Sequence, residues 1–275
     1  MEKIFEIIAS GDRLPTDMKS FLYSNGLSVT LVKKAKYGGI FLNGKNVTVR
    51  ATVNVGDRIE VYQNEKKSEG IPSMDIPLKV LYEDDHILAV DKPTNMPTHP
   101  SKGNNLPTLA NAVMGYYGGE FVFRSVNRLD RDTSGIVIIA KNQISASLLS
   151  SSMKKRLWQK KYHAMVSGCP SPIEGRIDAP IERIKEGNIK RMVRLDGKRA
   201  ITDYRVLEKY DGCSLCEISL LTGRTHQIRV HMAYIGHPLV SDFLYGTKGE
   251  RDYFLRCVEI SFPHPKTNET IVIRA

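Results

Sequence analysis

The sequence predicts an α+β protein. Its larger part, residues 78–275, reads as a mixed, mostly antiparallel central sheet with flanking helices, and residues 1–62 read as a small α+β module. Three observations lead there. Strand-like stretches outnumber helical ones and succeed one another, where a parallel α/β fold would alternate them. Turn signals such as Asn43-Gly44 sit between short apolar runs. Between the two parts, residues 63–77 are polar and charged with no apolar period to bury, which marks a linker and suggests a module mobile against the rest.

In the module, residues 21–27 begin as a helix and close on Gly26, and a second helical piece around residues 32–36 ends at Gly38-Gly39. Residues 40–45 read as a strand running into the Asn-Gly turn, and residues 52–61 as a further turn and strand. Lys33, Lys34 and Lys36 lie on the second helix. The larger part opens with strands at 78–82 and 87–90 around an acidic turn. A helix is predicted over 108–117, where Leu109, Ala112, Val113 and Tyr116 fall at i, i+3, i+4 and i+7. The run Gly135-Ile136-Val137-Ile138-Ile139-Ala140 has the length of a buried strand, and a second helix is expected over 142–158. Later strands are legible at 161–166, 200–206, 214–220 and 270–273.

Composition bounds the function classes. The 275 residues carry 40 basic and 30 acidic side chains, a net charge of +10, with 41% hydrophobic residues, enough to build a core and to exclude a wholly disordered chain. No apolar run approaches the roughly 18 residues of a membrane span. The start, Met1-Glu2-Lys3-Ile4-Phe5-Glu6, carries acids where a secretory signal carries bases, and four cysteines are too few for a disulfide framework, so a cytoplasmic protein is expected. The basic balance favours a polyanionic partner, nucleic acid above all.

No dinucleotide fingerprint, Walker-type loop or Gly-x-Ser-x-Gly elbow is present, so no cofactor is expected. Cys213 and Cys216 lack a second ligand pair, and His226 and His231 are five residues apart, off the i, i+4 spacing of a helical metal site, so no metal is expected either. Three polar segments remain. Asn127-Arg128-Leu129-Asp130-Arg131-Asp132-Thr133-Ser134-Gly135 puts two acids and two bases at the mouth of a buried strand. Lys160-Lys161-Tyr162-His163-Ala164-Met165-Val166 turns Tyr162 inward by strand alternation. Thr222-Gly223-Arg224-Thr225-His226-Gln227-Ile228-Arg229 gathers Arg, His and Gln where a helix starting near Arg224 would favour anions.

Together, in order and spacing, these segments resemble the motifs of the RluA-type pseudouridine synthases over residues 78–275. Asp91-Lys92-Pro93, Pro97, His99-Pro100 and Gly197-Lys198 with Ala200, Thr202 and Tyr204 agree as well. Residues 1–62 resemble the alpha-L RNA-binding module, and that resemblance implies that Lys33, Lys34 and Lys36 meet the phosphate backbone. The family resemblance implies RNA as partner, ribosomal RNA of the large subunit first and transfer RNA second, and an isomerisation of uridine needing no nucleotide cofactor. It implies Asp130 as the catalytic carboxylate and Tyr162 as the residue that stacks on uracil and serves C5. Arg229 is implied to pair with the carboxylate, and Arg128 to enter the RNA stack as the base flips out. Arg224, His226 and Gln227 are expected to bind substrate. Asn127 stands where the family often has His, and Arg256 where it usually has His in Leu-His-Ala. Two other classes stay open from the residues alone: a non-catalytic RNA-binding or ribosome-assembly protein, and a glycosidase or nuclease using Asp130 and Asp132. A monomer without membrane contact is expected.

Overall fold

A computed structural model describes residues 1–63, 70–100, 107–185, 188–246 and 253–275. The charged run of the predicted linker, residues 64–69, lies outside them. The small module begins with β1 (Glu2–Ile8), a strand absent from the sequence reading, and β2 (Thr16–Asp17). The first helix, α1 (Met18–Ser24), starts where the Asp17 side chain accepts the Ser20 N–H, and α2 (Val29–Ala35) starts at the corresponding Ser28 cap to Leu31. Then come β3 (Ile40–Leu42), β4 (Lys45–Asn46), β5 (Thr52–Val53) and β6 (Arg58–Gln63). The β1-β6-β3-β4 sheet and the two helices close on a core of Met18, Phe21, Leu22, Val32, Ile40, Ile59 and Val61.

In the larger part, β7 (Val80–Glu83) and β8 (Ile87–Lys92) form an antiparallel hairpin. The α3 helix (Leu109–Tyr116) opens with a reciprocal Thr108–Asn111 capping box. The apolar run becomes β9 (Ser134–Ala140), buried along almost its whole length. It leads to α4 (Gln143–Lys154), capped by Asn142 and ending four residues earlier than expected, because Trp158 leaves the helix to stack on Phe262 at 4.5 Å. The chain continues through β10 (Gln159–Ser167), β11 (Glu174–Asp178), β12 (Ile181–Arg183), β13 (Arg191–Val193), β14 (Ile201–Tyr210) and β15 (Cys213–Leu220). It ends with α5 (Gln227–Tyr234), β16 (Leu255–Pro263) and β17 (Thr270–Arg274).

The large sheet runs β11-β14-β15-β10-β16-β9-β8-β7, with β17 on β16. Among the described residues its one parallel pairing joins β9 to β16, so the sheet is mixed and mostly antiparallel. Gly135 makes that pairing possible: its φ is +108°, and a Cβ there would collide with the Cys257 backbone. The pairing holds the start of β9, and the loop before it, one strand away from β10, with β16 between them.

The module is seated on the larger part. Ser147 Oγ of α4 donates to the Gly26 carbonyl at 2.6 Å, Ile144 packs into the module's core, and Gly26 leaves room for Leu148. The expected loose tethering therefore gives way to a docked arrangement, because α4 presents small and apolar side chains that a charged linker sequence does not reveal.

Candidate active site

Asp130 belongs to a loop pinned on every side. The Asn127 side chain imitates a strand: its Nδ2 donates to the Ile136 carbonyl at 3.0 Å and its Oδ1 accepts the Ile138 N–H at 2.8 Å. Leu129 is held through both backbone groups, its carbonyl accepting from Thr98 Oγ1 and its N–H donating to that oxygen. The Arg131 carbonyl accepts from the Met96 N–H and from Lys92 Nζ. Thr94 Oγ1 donates to the Asp132 carbonyl at 2.9 Å. Between these anchors the Asp130 carboxylate is left 36% exposed.

Lys92 is the unusual anchor. It is fully buried, and its ammonium donates to the carbonyls of Pro93, Met96 and Arg131 at 2.8, 2.7 and 3.0 Å. Burial pulls its pKa down to about 8, against the pull of Asp132 and Asp130 in the other direction. The sequence reading used Lys92 only as part of a motif and gave it no task. The signal was its place at the end of β8, the strand between β7 and β9.

Tyr162 lies on β10 directly across from Cys257 of β16 and is 6% exposed. Its hydroxyl is pushed well above the usual phenol range, first by burial, then by Cys257, with Asp130's charge adding to it. The side chain therefore holds its proton at neutral pH.

The third segment differs from expectation at two residues. Arg229 does not pair with Asp130. Its guanidinium is clamped two-fold by Asp242, Nε to Oδ2 and Nη2 to Oδ1 both at 2.7 Å, beneath the rings of Tyr253, Tyr245 and Phe243. Both partners are buried, and although burial works against the charge, the Asp242 bonds hold Arg229 above the usual value. Asp130 feels it through space only. Asp242 sits in a turn thirteen residues on in sequence, and nothing local marks it as a partner.

Gln227 is the second of these residues. It is 2% exposed, its Nε2 donates to the Ile201 carbonyl and Thr202, and its Oε1 accepts from Thr222 and the Arg224 N–H. Every polar atom of its side chain is bonded within the fold, tying α5 to β14 and to the loop after β15. His226 precedes the helix in a left-handed conformation, φ +58°, and α5 begins at Gln227, not near Arg224. The His226 Nε2 is 3.8 Å from Asp130 Oδ2, and its Nδ1 is 2.7 Å from the Tyr245 hydroxyl.

Arg224 is exposed, with Nε on the Arg199 carbonyl. Arg128 is exposed beside Asp130, and its charge adds to the burial that lowers the His99 pKa. Lys33, Lys34 and Lys36 are exposed on or just past α2, and Lys34 borders a cleft of about 630 Å³ shared with Ser147, Ser150 and Lys154 of α4. Asp132 is clamped by Arg131 and buried, so it does not act as a second free carboxylate beside Asp130. Among the described residues no group of His, Cys, Asp and Glu is arranged to hold a metal, and both His231 nitrogens are occupied, by Thr202 and the Ala179 carbonyl. No helix among them is long and apolar enough to cross a membrane.

The family model described as RNA pseudouridylate synthase matches residues 86–234, which include all three polar segments up to Arg229. The chain belongs to the RluA-type RNA pseudouridine synthases. It is an isomerase acting on uridine in RNA, and the non-catalytic and hydrolytic alternatives fall away. Among its relatives, the uncharacterized RNA pseudouridine synthase YjbO of Bacillus subtilis is 38% identical, with 94% of each chain covered. Ribosomal large subunit pseudouridine synthase D of Xanthomonas campestris is 35% identical over 86% of this chain and 77% of its own. The solved structure of human RNA pseudouridylate synthase domain containing 1 superposes with a TM-score of 0.63 at 28% identity, covering 74% of this chain and 85% of that one.

Proposed function

We propose that this isomerase modifies specific uridines of large-subunit ribosomal RNA in the cytoplasm, as a monomer, with Asp130 as its catalytic carboxylate. The setting of Asp130 carries the assignment. It is the partly exposed acid of a loop in which Asn127, Leu129, Arg131 and Asp132 are tied down, and its charge reaches Tyr162, His226 and Arg229. The ribosomal target is supported by relatives from Xanthomonas campestris, Haemophilus ducreyi and Zymomonas mobilis, each named ribosomal large subunit pseudouridine synthase D at 35–41% identity.

The reaction breaks N1–C1′, turns the uracil, joins C5 to C1′, moves a proton off C5 and leaves one on N1. Asp130 serves either by attacking C1′ or by taking a 2′ proton, and both require a fixed carboxylate next to the ribose. Tyr162 stacks on the extruded base and relays the C5 proton, giving up its own as it accepts. Extrusion costs a few kcal/mol of lost stacking, least in bulged or single-stranded RNA, and Arg128 fills the gap. Arg224 meets the backbone near the site. Lys33, Lys34 and Lys36 grip it at the module, which acts as an alpha-L unit over residues 1–62, joined by the linker 63–77 to the catalytic part at 78–275.

Carbodiimide mapping of RNA from a strain lacking the gene tests the reading. One or a few pseudouridine stops in large-subunit ribosomal RNA should vanish, return with the wild-type gene and stay absent with Asp130→Asn. Stops lost only from transfer RNA would refute the ribosomal target.

A further inference from the structure

With Arg229 committed to Asp242, His226 is a titratable group that comes within 4 Å of the Asp130 carboxylate, at 3.8 Å. We infer that Tyr245 and His226 form a relay that fixes the direction of Asp130, which makes both of them positioning residues. The inference rests on Asp130 being the catalytic carboxylate.

The direction of the bonds follows from donors and acceptors. The backbone N–H of Arg191, on the β12–β13 hairpin, donates to the Tyr245 hydroxyl at 2.9 Å. That oxygen accepts there, which leaves its own proton free to be given to His226 Nδ1, 2.7 Å away, and this is the direction the relay assigns. A ring whose Nδ1 accepts carries its single proton on Nε2. Nε2 is the nitrogen that faces Asp130 Oδ2 at 3.8 Å. This is longer than a hydrogen bond, and catalytic contacts of this kind commonly close only around the reacting substrate. With Oδ2 taken by the imidazole, Oδ1 is the oxygen left for the ribose.

Three further features fit a ring held for this purpose. Its side chain is 12% exposed and meets the Tyr245 ring edge-on, centroids 5.6 Å apart at 78°. Burial lowers its pKa, so at neutral pH it bears one proton, as the relay requires. Its backbone adopts the left-handed region, uncommon for a non-glycine residue, and the side chain makes no cap to α5. The imidazole is spent on Asp130 and Tyr245, and the helix start goes without it.

Tyr245→Phe isolates the hydroxyl, because the ring contacts to Arg229 at 5.1 Å and Lys190 at 5.7 Å remain. Single-turnover tritium release is measured with full-length enzyme on ribosomal RNA labelled at uridine C5 and taken from a strain lacking the gene. Tyr245→Phe should slow the step roughly tenfold, and His226→Ala roughly 100-fold, the scale for removing one placed donor. The half-saturating enzyme concentration should move less than about twofold, and His226→Gln, whose amide N–H reaches the Nε2 position, should recover most of the loss. In parallel, ¹⁵N spectra of the RNA-free protein should show His226 with its proton on Nε2, and Tyr245→Phe should mix the tautomers. A proton on Nδ1 in the wild type, a wild-type rate for Tyr245→Phe, or a His226→Ala defect confined to half-saturation would each overturn the relay. The tautomer is read without RNA, so its failure is distinct from a failure of Asp130 itself, which Asp130→Asn reads.

Discussion

The loop carrying Asp130 and the helix carrying Lys33, Lys34 and Lys36 differ in how much of each is committed to the fold. Around Asp130, Asn127, Leu129, Arg131 and Asp132 are all bonded to β8, β9 or the segment between β8 and α3. On α2 the lysines project into solvent, and Lys36 leans only on the Tyr37 ring, at 5.0 Å. A reacting group gains from being fixed within a fraction of an ångström. A phosphate contact works through charge, tolerates movement and answers to salt. The contrast therefore teaches that rigidity should matter for the rate and charge for the affinity.

Breaking the buried Arg229–Asp242 pair should have the largest effect on the rigid side. Arg229→Met leaves a buried carboxylate unpaired and should cost about 3–5 kcal/mol in urea denaturation. Arg229→Met with Asp242→Leu should recover much of that, and full additivity would mean that the two do not act as a pair. Lys92 gives a pH-dependent version of the same comparison. Its folded pKa of about 8 lies below the usual 10.5, so between those values the unfolded chain holds more protons and stability contributed through Lys92 rises with pH. Wild type should gain on Lys92→Met by up to about 3 kcal/mol from pH 7.5 to 10.5, and a constant difference would contradict a Lys92 pKa held below its usual value by the fold.

Asn127→Ala removes two buried backbone contacts and should cost about 1–3 kcal/mol, with the rate falling more than RNA affinity; an unchanged rate would deny the loop its positioning role. The smallest effect on the chemical step belongs to the exposed side. Replacing Lys33, Lys34 and Lys36 by Ala should weaken RNA binding and flatten its log–log salt dependence by roughly 2, at about 0.7–0.9 per lost phosphate contact. The single-turnover rate at saturation should stay within about twofold, and a matching fall in rate would erase the division between grip and chemistry.

The α+β class, both module helices, the buried β9 strand and the three polar segments were legible because each is written locally, in turn residues, caps or periodicity. The β16 strand was not, although it lies at the centre of the sheet. A bulge opposite Lys161 and Tyr162 breaks its alternation, so Leu255 and Cys257 share the buried side with Ile260 and Phe262 one residue out of step. Arg256, which departs from the family pattern, ties that strand to Asp91 of β8 at 2.7 Å. The same limit applied at the site. Asp130, Tyr162 and Arg229 stood out by motif, but partners set by tertiary contact, Asp242 and Tyr245 above all, carry no local mark, nor do the bonds of Gln227 to β14 and to the loop after β15.

The central claim is that one carboxylate in the pinned loop performs the isomerisation. The most direct measurement is single-turnover tritium release from C5-labelled ribosomal RNA by Asp130→Asn at saturating enzyme, with RNA affinity measured on the same preparation. The account predicts no release above background and an affinity within about twofold of wild type, since removing a lone nucleophile or base costs orders of magnitude in rate and little in binding. Release at more than a few per cent of the wild-type rate would contradict it.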